Sequence, residues 1–278
     1  MQNCKPVTTP LPINCKLQKS EHTSVELDDS VYKYRQLLGC LMYLCVCTRP
    51  DIAYACSYLS QFNNCFDKTH WLAAKHVLRY LAGTIDHCLL FTKSVNWKLS
   101  AYTDADWAND ATDRKSYTGY VIKLGNSTIN WESRKQRCSV ALSSTEAEYL
   151  AIGDACKDIC FIQNLLSELT LIELDEFILY NDSQSAQKLL ESKEVCHKRT
   201  KHIDIRYHFV KDLINNGSIT VRYLPTDRMI ADVLTKSLGK QKHSSFTQNL
   251  NVVKTIKSVN YSVMCIICKN CDIILLTC

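Results

Sequence analysis

The sequence predicts a mixed α/β fold, a sheet with helices on its faces, preceded by a small all-helical region. Near residue 97 the spacing of apolar residues changes from the helical period of 3.6 to the strand period of 2. Beyond that point, three strand-like segments precede a long helix and then alternating strands and helices, the order expected of a mixed sheet. Glycine, with seven residues in 278, is too scarce for an all-β sandwich with many tight turns.

The composition is that of an ordinary globular protein of one or two domains. Apolar residues make up 46% and charged residues 22%, which excludes a wholly disordered or collagen-like chain. The net charge of +5 permits a nucleic-acid partner without requiring one. The first 19 residues hold no apolar signal core, and no apolar run is long enough to span a bilayer. We therefore expect an intracellular, reducing location and no membrane partner. A small-molecule cofactor is not expected either.

The local patterns divide the chain into four parts. Residues 1–29 form an extended leader with three prolines, and residues 30–92 form a helical region with helices predicted at 30–48, 51–62 and 68–82. Residues 95–240 form the α/β domain, whose helices are predicted at about 143–165 and 229–235 and whose strands are predicted at 98–103, 117–124, 128–133, 176–180 and 219–223. Residues 241–278 lose periodicity and form a poorly specified tail.

Four carboxylates lie where an α/β enzyme would need them. Asp104 ends the first strand of the domain, Glu148 lies in the first turns of the long helix, Asp182 follows the fourth strand and Asp232 lies in the last helix. Strand ends and helix starts meet at one edge of such a sheet, so these side chains can converge. Clustered carboxylates repel one another, and Mg²⁺ is the cation best suited to neutralise them beside a phosphate. Two such ions ~4 Å apart would activate a water and stabilise the leaving oxygen in phosphodiester hydrolysis.

Each of these residues also suits a plain structural role. An Asp after a strand commonly forms a turn or a cap, and Glu146 and Glu148 both favour a helix N-terminus. Asp232 also fits a solvated position on its helix. The residue types alone leave these alternatives open, and only the four-way coincidence favours a metal site.

Six segments then identify a family. YTDADWA at 102–108, DRKS at 113–116, ALSSTEAEY at 141–149 and RTKHIDIRYH at 199–208 closely resemble the ribonuclease H domain of copia-type retrotransposon polyproteins. TRPDIAYA at 48–55 and LRYLAGT at 78–84 resemble the stretch between polymerase and ribonuclease H in the same proteins. The similarity covers roughly residues 1–240. The chain therefore resembles the C-terminal part of a Pol polyprotein, with a thumb- or connection-like region at 30–92 and a ribonuclease H-like domain at 95–240.

The resemblance implies a ribonuclease H-like mixed five-stranded sheet with helices on both faces. It implies endonucleolytic hydrolysis of the RNA strand of RNA–DNA hybrids, with two Mg²⁺ ions for which Mn²⁺ can substitute. The family's metal-binding carboxylates match Asp104, Glu148, Asp182 and Asp232, and Glu148 is preferred to Glu146 because family enzymes place this acid directly before an apolar helical run. The polymerase motif Tyr-x-Asp-Asp is absent from the sequence, so the polymerase part of a reverse transcriptase is an expected partner and not an expected activity.

Substrate contacts are expected in two segments, one directly after Asp182 and one within residues 198–206. Ser183 and Gln184 follow Asp182 and are suited to reading 2′-hydroxyls across a minor groove. A basic segment is expected to follow the phosphates of a hybrid through Lys198, Arg199, Lys201, His202 and Arg206. A solvated helix face is the alternative for this segment.

For the whole chain, the alternatives are a catalytically silent nucleic-acid-binding relic and a DNA-processing nuclease of the same fold. A cytoplasmic particle or the nucleus is the expected location.

Overall fold

A computed structural model of the chain describes residues 4–20, 29–92, 98–110, 112–136, 140–169, 177–192, 201–255, 264–265 and 276–277. The chain divides into two compact units. One is Thr92–Thr235, and the other combines Met1–Phe91 with Lys236–Cys278. Among the described helices, none is both long and apolar enough to cross a membrane.

The described residues form α-helices, short 3₁₀ helices and strands. The α-helices are α1 (Asp29–Cys47), α2 (Ala53–Ser60), α3 (Lys68–Gly83), α4 (Ser144–Leu169), α5 (Gln184–Glu191), α6 (Lys201–Asn215) and α7 (Lys240–Asn249). The 3₁₀ helices are Pro50–Ile52 and Ile230–Leu234. The strands are β1 (His87–Leu89), β2 (Leu99–Asp106), β3 (Tyr117–Leu124), β4 (Ser127–Lys135), β5 (Phe177–Asn181), β6 (Ile219–Tyr223), β7 (Val252–Lys254), β8 (Met264–Cys265) and β9 (Leu276–Thr277).

The unit Thr92–Thr235 is built on a five-stranded sheet with strand order β4-β3-β2-β5-β6. β2, β3 and β4 pair antiparallel, while β5 and β6 run parallel to β2. The hairpin between β3 and β4 turns at Gly125, whose φ of 57° suits glycine because it has no Cβ to clash. β2 therefore lies at the centre of the sheet, and its carboxyl end meets that of β5.

The two faces of this sheet are covered differently. On one face, α4, α5 and α6 bury apolar side chains of β2, β3, β5 and β6 in a continuous core that includes Tyr120, Ile152 and Phe177. On the other face the 3₁₀ helix Ile230–Leu234 approaches β3 so closely that a Cβ at Gly119 would lie 2.7 Å from the Cβ of Leu234. The predicted five-stranded mixed sheet with helices on both faces is confirmed.

The second unit contains α1, α2, α3, β1, α7 and β7. A buried Arg49–Asp51 ion pair of 2.8 Å stands among its helices, and the hydroxyl of Tyr80 donates to Asp51 at 2.7 Å. The leader packs on α3, since the Arg79 guanidinium donates to the carbonyl of Lys5 at 2.7 Å. An unpaired buried charge is costly, so each member of the Arg49–Asp51 pair stabilises the other in the interior of this unit.

Three local features differ from the sequence predictions. The helical region also holds β1, which pairs antiparallel with β7, a partner far along the chain that no local pattern reveals. Residues assigned to the tail form α7 and β7. The last helix of the sheet unit is a 3₁₀ helix, closed by bonds such as Asp232 N to the carbonyl of Met229 at 3.2 Å, as is common in short helical pieces.

Candidate metal centre

Asp104 is placed by the central strand. It lies in β2 opposite Gly119 of β3, two residues before the strand ends, and its side chain is buried. The hydroxyl of Thr235, which directly follows the 3₁₀ helix Ile230–Leu234, donates a short hydrogen bond to Asp104 Oδ2. This donor limits the rotation of a carboxylate that the strand already aims at the sheet edge.

Glu148 is placed by the start of α4. Ser143 Oγ accepts the backbone N–H of Glu146 at 3.2 Å, and Glu146 Oε2 accepts the N–H of Leu142 at 2.9 Å, so Glu146 is used in capping the helix. Glu148 lies about half a turn further along, is buried, and accepts a hydrogen bond of 2.9 Å from Asn181 Nδ2 at its Oε2. The two neighbouring glutamates therefore have different contacts: Glu146 caps α4, and Glu148 accepts a hydrogen bond from the end of β5.

Asp182 completes the group from the end of β5. Its carboxylate is partly exposed, and the hydroxyl of Thr226 donates to Oδ2 at 2.6 Å. Asn181, the last residue of β5, bridges the elements, because its Nδ2 also lies 3.2 Å from the carbonyl of Thr103 while its Oδ1 accepts the N–H of Ser183.

Asp104, Glu148 and Asp182 each offer an oxygen within 4.8 Å of the others. Burial, followed by the charge of Asp104, raises the pKa of Glu148 well above its usual range, although the hydrogen bond from Asn181 acts in the opposite direction. A divalent cation would relieve this repulsion, and an all-oxygen donor set is what hard cations such as Mg²⁺ or Mn²⁺ prefer. The residues present therefore fit a divalent metal.

Asp232 lies in the last short helix of the sheet unit. It is fully buried in the 3₁₀ helix Ile230–Leu234, and the group of three converging carboxylates found among the described residues does not include it. Its assignment as a fourth ligand stays a prediction.

The predicted substrate residues have varied surroundings. Ser183 caps α5 by accepting the N–H of Ala186 at 3.2 Å, and Gln184 is the exposed first residue of that helix. Arg206 lies 3.5 Å from Asp154 on α4, in an ion pair that links α6 to α4. Lys198 and Arg199 lie outside the described residues, and so do the side chains of Lys201 and His202, although both residues begin α6.

Sequence reasoning missed the three side chains that orient the carboxylates, namely Asn181, Thr226 and Thr235. Asn181 left a weak signal, as an amide that ends an apolar strand just before Asp182. Thr226 and Thr235 left none, since their partners lie 44 and 131 positions away.

Similarity to known proteins extends over most of the chain. It is 44% identical over 245 residues to the retrovirus-related Pol polyprotein from transposon TNT 1-94 of Nicotiana tabacum, covering 87% of this chain and 18% of that protein. It is 39% identical over 254 residues to the corresponding polyprotein from transposon RE2 of Arabidopsis thaliana, covering 91% of this chain and 17% of that protein. The chain thus spans less than a fifth of the length of these relatives. No family model matches the chain.

Among solved structures, a ribonuclease H1 isolated from compost by a metagenomic approach aligns with a TM-score of 0.38 and 17% identity. That alignment covers 50% of this chain and 93% of the solved chain.

Proposed function

The chain belongs to the copia-type retrovirus-related Pol polyproteins, and from this membership we propose that it is a ribonuclease H. The proposed reaction is metal-dependent, endonucleolytic hydrolysis of the RNA strand of RNA–DNA hybrids. The observation that carries the proposal is the convergence of Asp104, Glu148 and Asp182 at the carboxyl edge of the central strands.

The chain's own residues would hold and orient the metal. Asp104, Glu148 and Asp182 supply the ligands, and Asp232 is proposed as a fourth. When bound, Mg²⁺, or Mn²⁺ in its place, would activate a water and stabilise the leaving oxygen. Asn181 keeps the Glu148 carboxylate turned toward Asp104, so that little reorganisation is needed when substrate arrives.

Binding of the hybrid is proposed to combine two sets of contacts. Ser183 and Gln184 adjoin Asp182 and are suited to the 2′-hydroxyls of the RNA strand. The basic set comprises Lys198, Arg199, Lys201, His202 and Arg206, and it would add salt-dependent, sequence-independent affinity for phosphates. We further propose that the chain acts inside the cell, in a cytoplasmic particle or the nucleus, beside the polymerase part of a reverse transcriptase.

The test uses the full chain and an RNA–DNA hybrid labelled separately on each strand. Cleavage of the RNA strand is expected with Mg²⁺ and its loss with EDTA. Asp104→Asn and Glu148→Gln are expected to lower the rate by at least a hundredfold. Both should retain or raise the melting temperature in EDTA, because each weakens the electrostatic repulsion within a buried group of carboxylates.

Glu146→Gln is the matched control, since Glu146 lies on the same helix turn as Glu148 but caps α4. It should cleave at close to the wild-type rate. Hybrid binding without cleavage by the wild type would instead indicate a silent relic, and cleavage of plain duplex DNA would indicate a DNA-processing nuclease. Either result overturns the proposed function.

A further inference from the structure

An exposed tryptophan follows the strand that carries Asp104. Trp107 directly follows β2, three residues after Asp104 and so about 10 Å along the strand at ~3.3 Å per residue. It is 47% exposed, whereas large aromatic side chains are usually mostly buried. Its Nε1 donates to the carbonyl of Ala141 at 3.0 Å. The indole is therefore held in one orientation while much of its surface faces solvent.

Two described residues that follow Trp107 have an unfavourable backbone conformation. Ala108 and Arg114 have φ values of 51° and 56°, in the left-handed region that residues with a Cβ rarely adopt. Buried Asp110 holds the loop by accepting the N–H of Thr112 at 2.8 Å and by pairing with Lys135 at 2.5 Å. Backbone strain maintained by surrounding contacts is concentrated at functional sites.

A second exposed segment lies against the indole. Val140 and Leu142 flank the carbonyl that Trp107 contacts, and they are 40% and 80% exposed. We call Trp107, Val140 and Leu142 the apolar shelf. It is attached to the two elements that carry Asp104 and Glu148.

We propose that the apolar shelf is a positioning surface for the nucleic-acid substrate, on which the sugar of a nucleotide beside the cleaved phosphate packs. This inference rests on the proposed function and names a surface for its substrate. Bases inside a duplex are stacked on one another, but the wide minor groove of an A-form-like helix leaves the sugar edges accessible to an apolar side chain. Exposed Arg114, in the same fixed loop, supplies a cation for a neighbouring phosphate.

The test measures hybrid affinity and cleavage for Trp107→Ala, Trp107→Phe and Leu142→Ser in the full chain. The matched control is Phe161→Ala, an aromatic residue of α4 that is 64% exposed. Trp107→Ala should weaken hybrid binding in EDTA about tenfold and raise KM in Mg²⁺ by a similar factor, with kcat changed less than threefold. Trp107→Phe keeps an apolar ring but loses the hydrogen bond to the carbonyl of Ala141. Its hybrid affinity should be closer to that of the wild type than to that of Trp107→Ala. Phe161→Ala should bind and cleave like the wild type.

The outcomes separate this inference from the proposed function. A wild type that binds hybrid without cleaving it refutes the ribonuclease proposal, whereas weaker binding by Trp107→Ala still supports the shelf. Unchanged affinity in Trp107→Ala and Leu142→Ser, with normal cleavage, overturns the shelf alone. Loss of self-association in these variants, with hybrid affinity unchanged, would identify a protein-contact surface and also overturn it. A fall in kcat and melting temperature that Trp107→Phe does not recover would assign the indole a structural role.

Discussion

Gly119 is the position at which one added methyl group should disturb the candidate site most directly. A Cβ there would lie 2.7 Å from the Cβ of Leu234 and 2.8 Å from Cγ2 of Thr235, whereas ordinary contacts lie at 3.4–4 Å. The 3₁₀ helix Ile230–Leu234 would therefore have to move by roughly 1 Å, a change of the kind that costs ~1–3 kcal/mol when a packed interior is overfilled. Because Thr235 donates to Asp104, the same movement would displace one of the three carboxylates of the candidate metal site.

Gly119→Ala should accordingly lower both stability and cleavage. At roughly 2–4 °C per kcal/mol, the melting temperature should fall by several degrees. Cleavage of the hybrid should fall by about tenfold or more, since misplacing reacting groups by ~1 Å costs up to ~100-fold. The assays are thermal unfolding in EDTA and initial cleavage rates in Mg²⁺.

Gly153→Ala is the matched control in the same unit. Its added Cβ would meet nothing closer than 3.8 Å, and it stands inside α4, where alanine is favoured over glycine by ~0.5–1 kcal/mol. This variant should be as stable as the wild type or more stable, with unchanged cleavage. If Gly119→Ala matched Gly153→Ala in both assays, the reasoning from close approach would be refuted.

Three further changes have defined expected outcomes. Thr235→Val keeps the shape of the side chain but removes the hydroxyl that donates to Asp104, so cleavage should fall several-fold; an unchanged rate would show that this hydrogen bond does not orient the carboxylate. Burial would raise the pKa of Asp67, but hydrogen bonds from Thr69 and His70 hold this pKa at about 2. The stabilising contribution of the Asp67 carboxylate is therefore complete above its unfolded pKa of ~3.9 and is lost as the pH falls toward 2. In urea unfolding, the difference in free energy of unfolding between wild type and Asp67→Asn should be constant above about pH 5. It should shrink as the pH falls from about 4 to 2. Gly217, with φ of 72°, follows the C-terminus of α6, and its N–H donates to the carbonyl of Ile214. Gly217→Ala should lower the free energy of unfolding by ~1–2 kcal/mol, and an equally stable variant would contradict the assigned backbone conformation.

The sheet and the three converging carboxylates could be predicted because their signals are local. Alternating apolar residues indicated the strands, and Asp104 and Asp182 are recognisable as acids near strand ends. The choice of Glu148 over Glu146 depended on family resemblance, and the structure adds a physical reason by using Glu146 as a cap. Thr226, Thr235 and the requirement for glycine at 119 act between segments far apart in sequence, so no local pattern contains them.

The pairing of β1 with β7 affects the order in which the chain can fold as it is synthesised. His87 pairs with Lys254, 167 positions later, and the whole of Thr92–Thr235 lies between them in sequence. The sheet unit is continuous and is complete in the nascent chain before β7 emerges, whereas the other unit must hold β1 without its partner until then. Since domains generally fold as units during synthesis, the sheet unit is expected to fold first, leaving the edge of β1 open for its last step. A nascent chain from which Thr235 but not Val252 has emerged from the ribosome would therefore contain a folded sheet unit together with an unpaired strand, the kind of intermediate that chaperones bind.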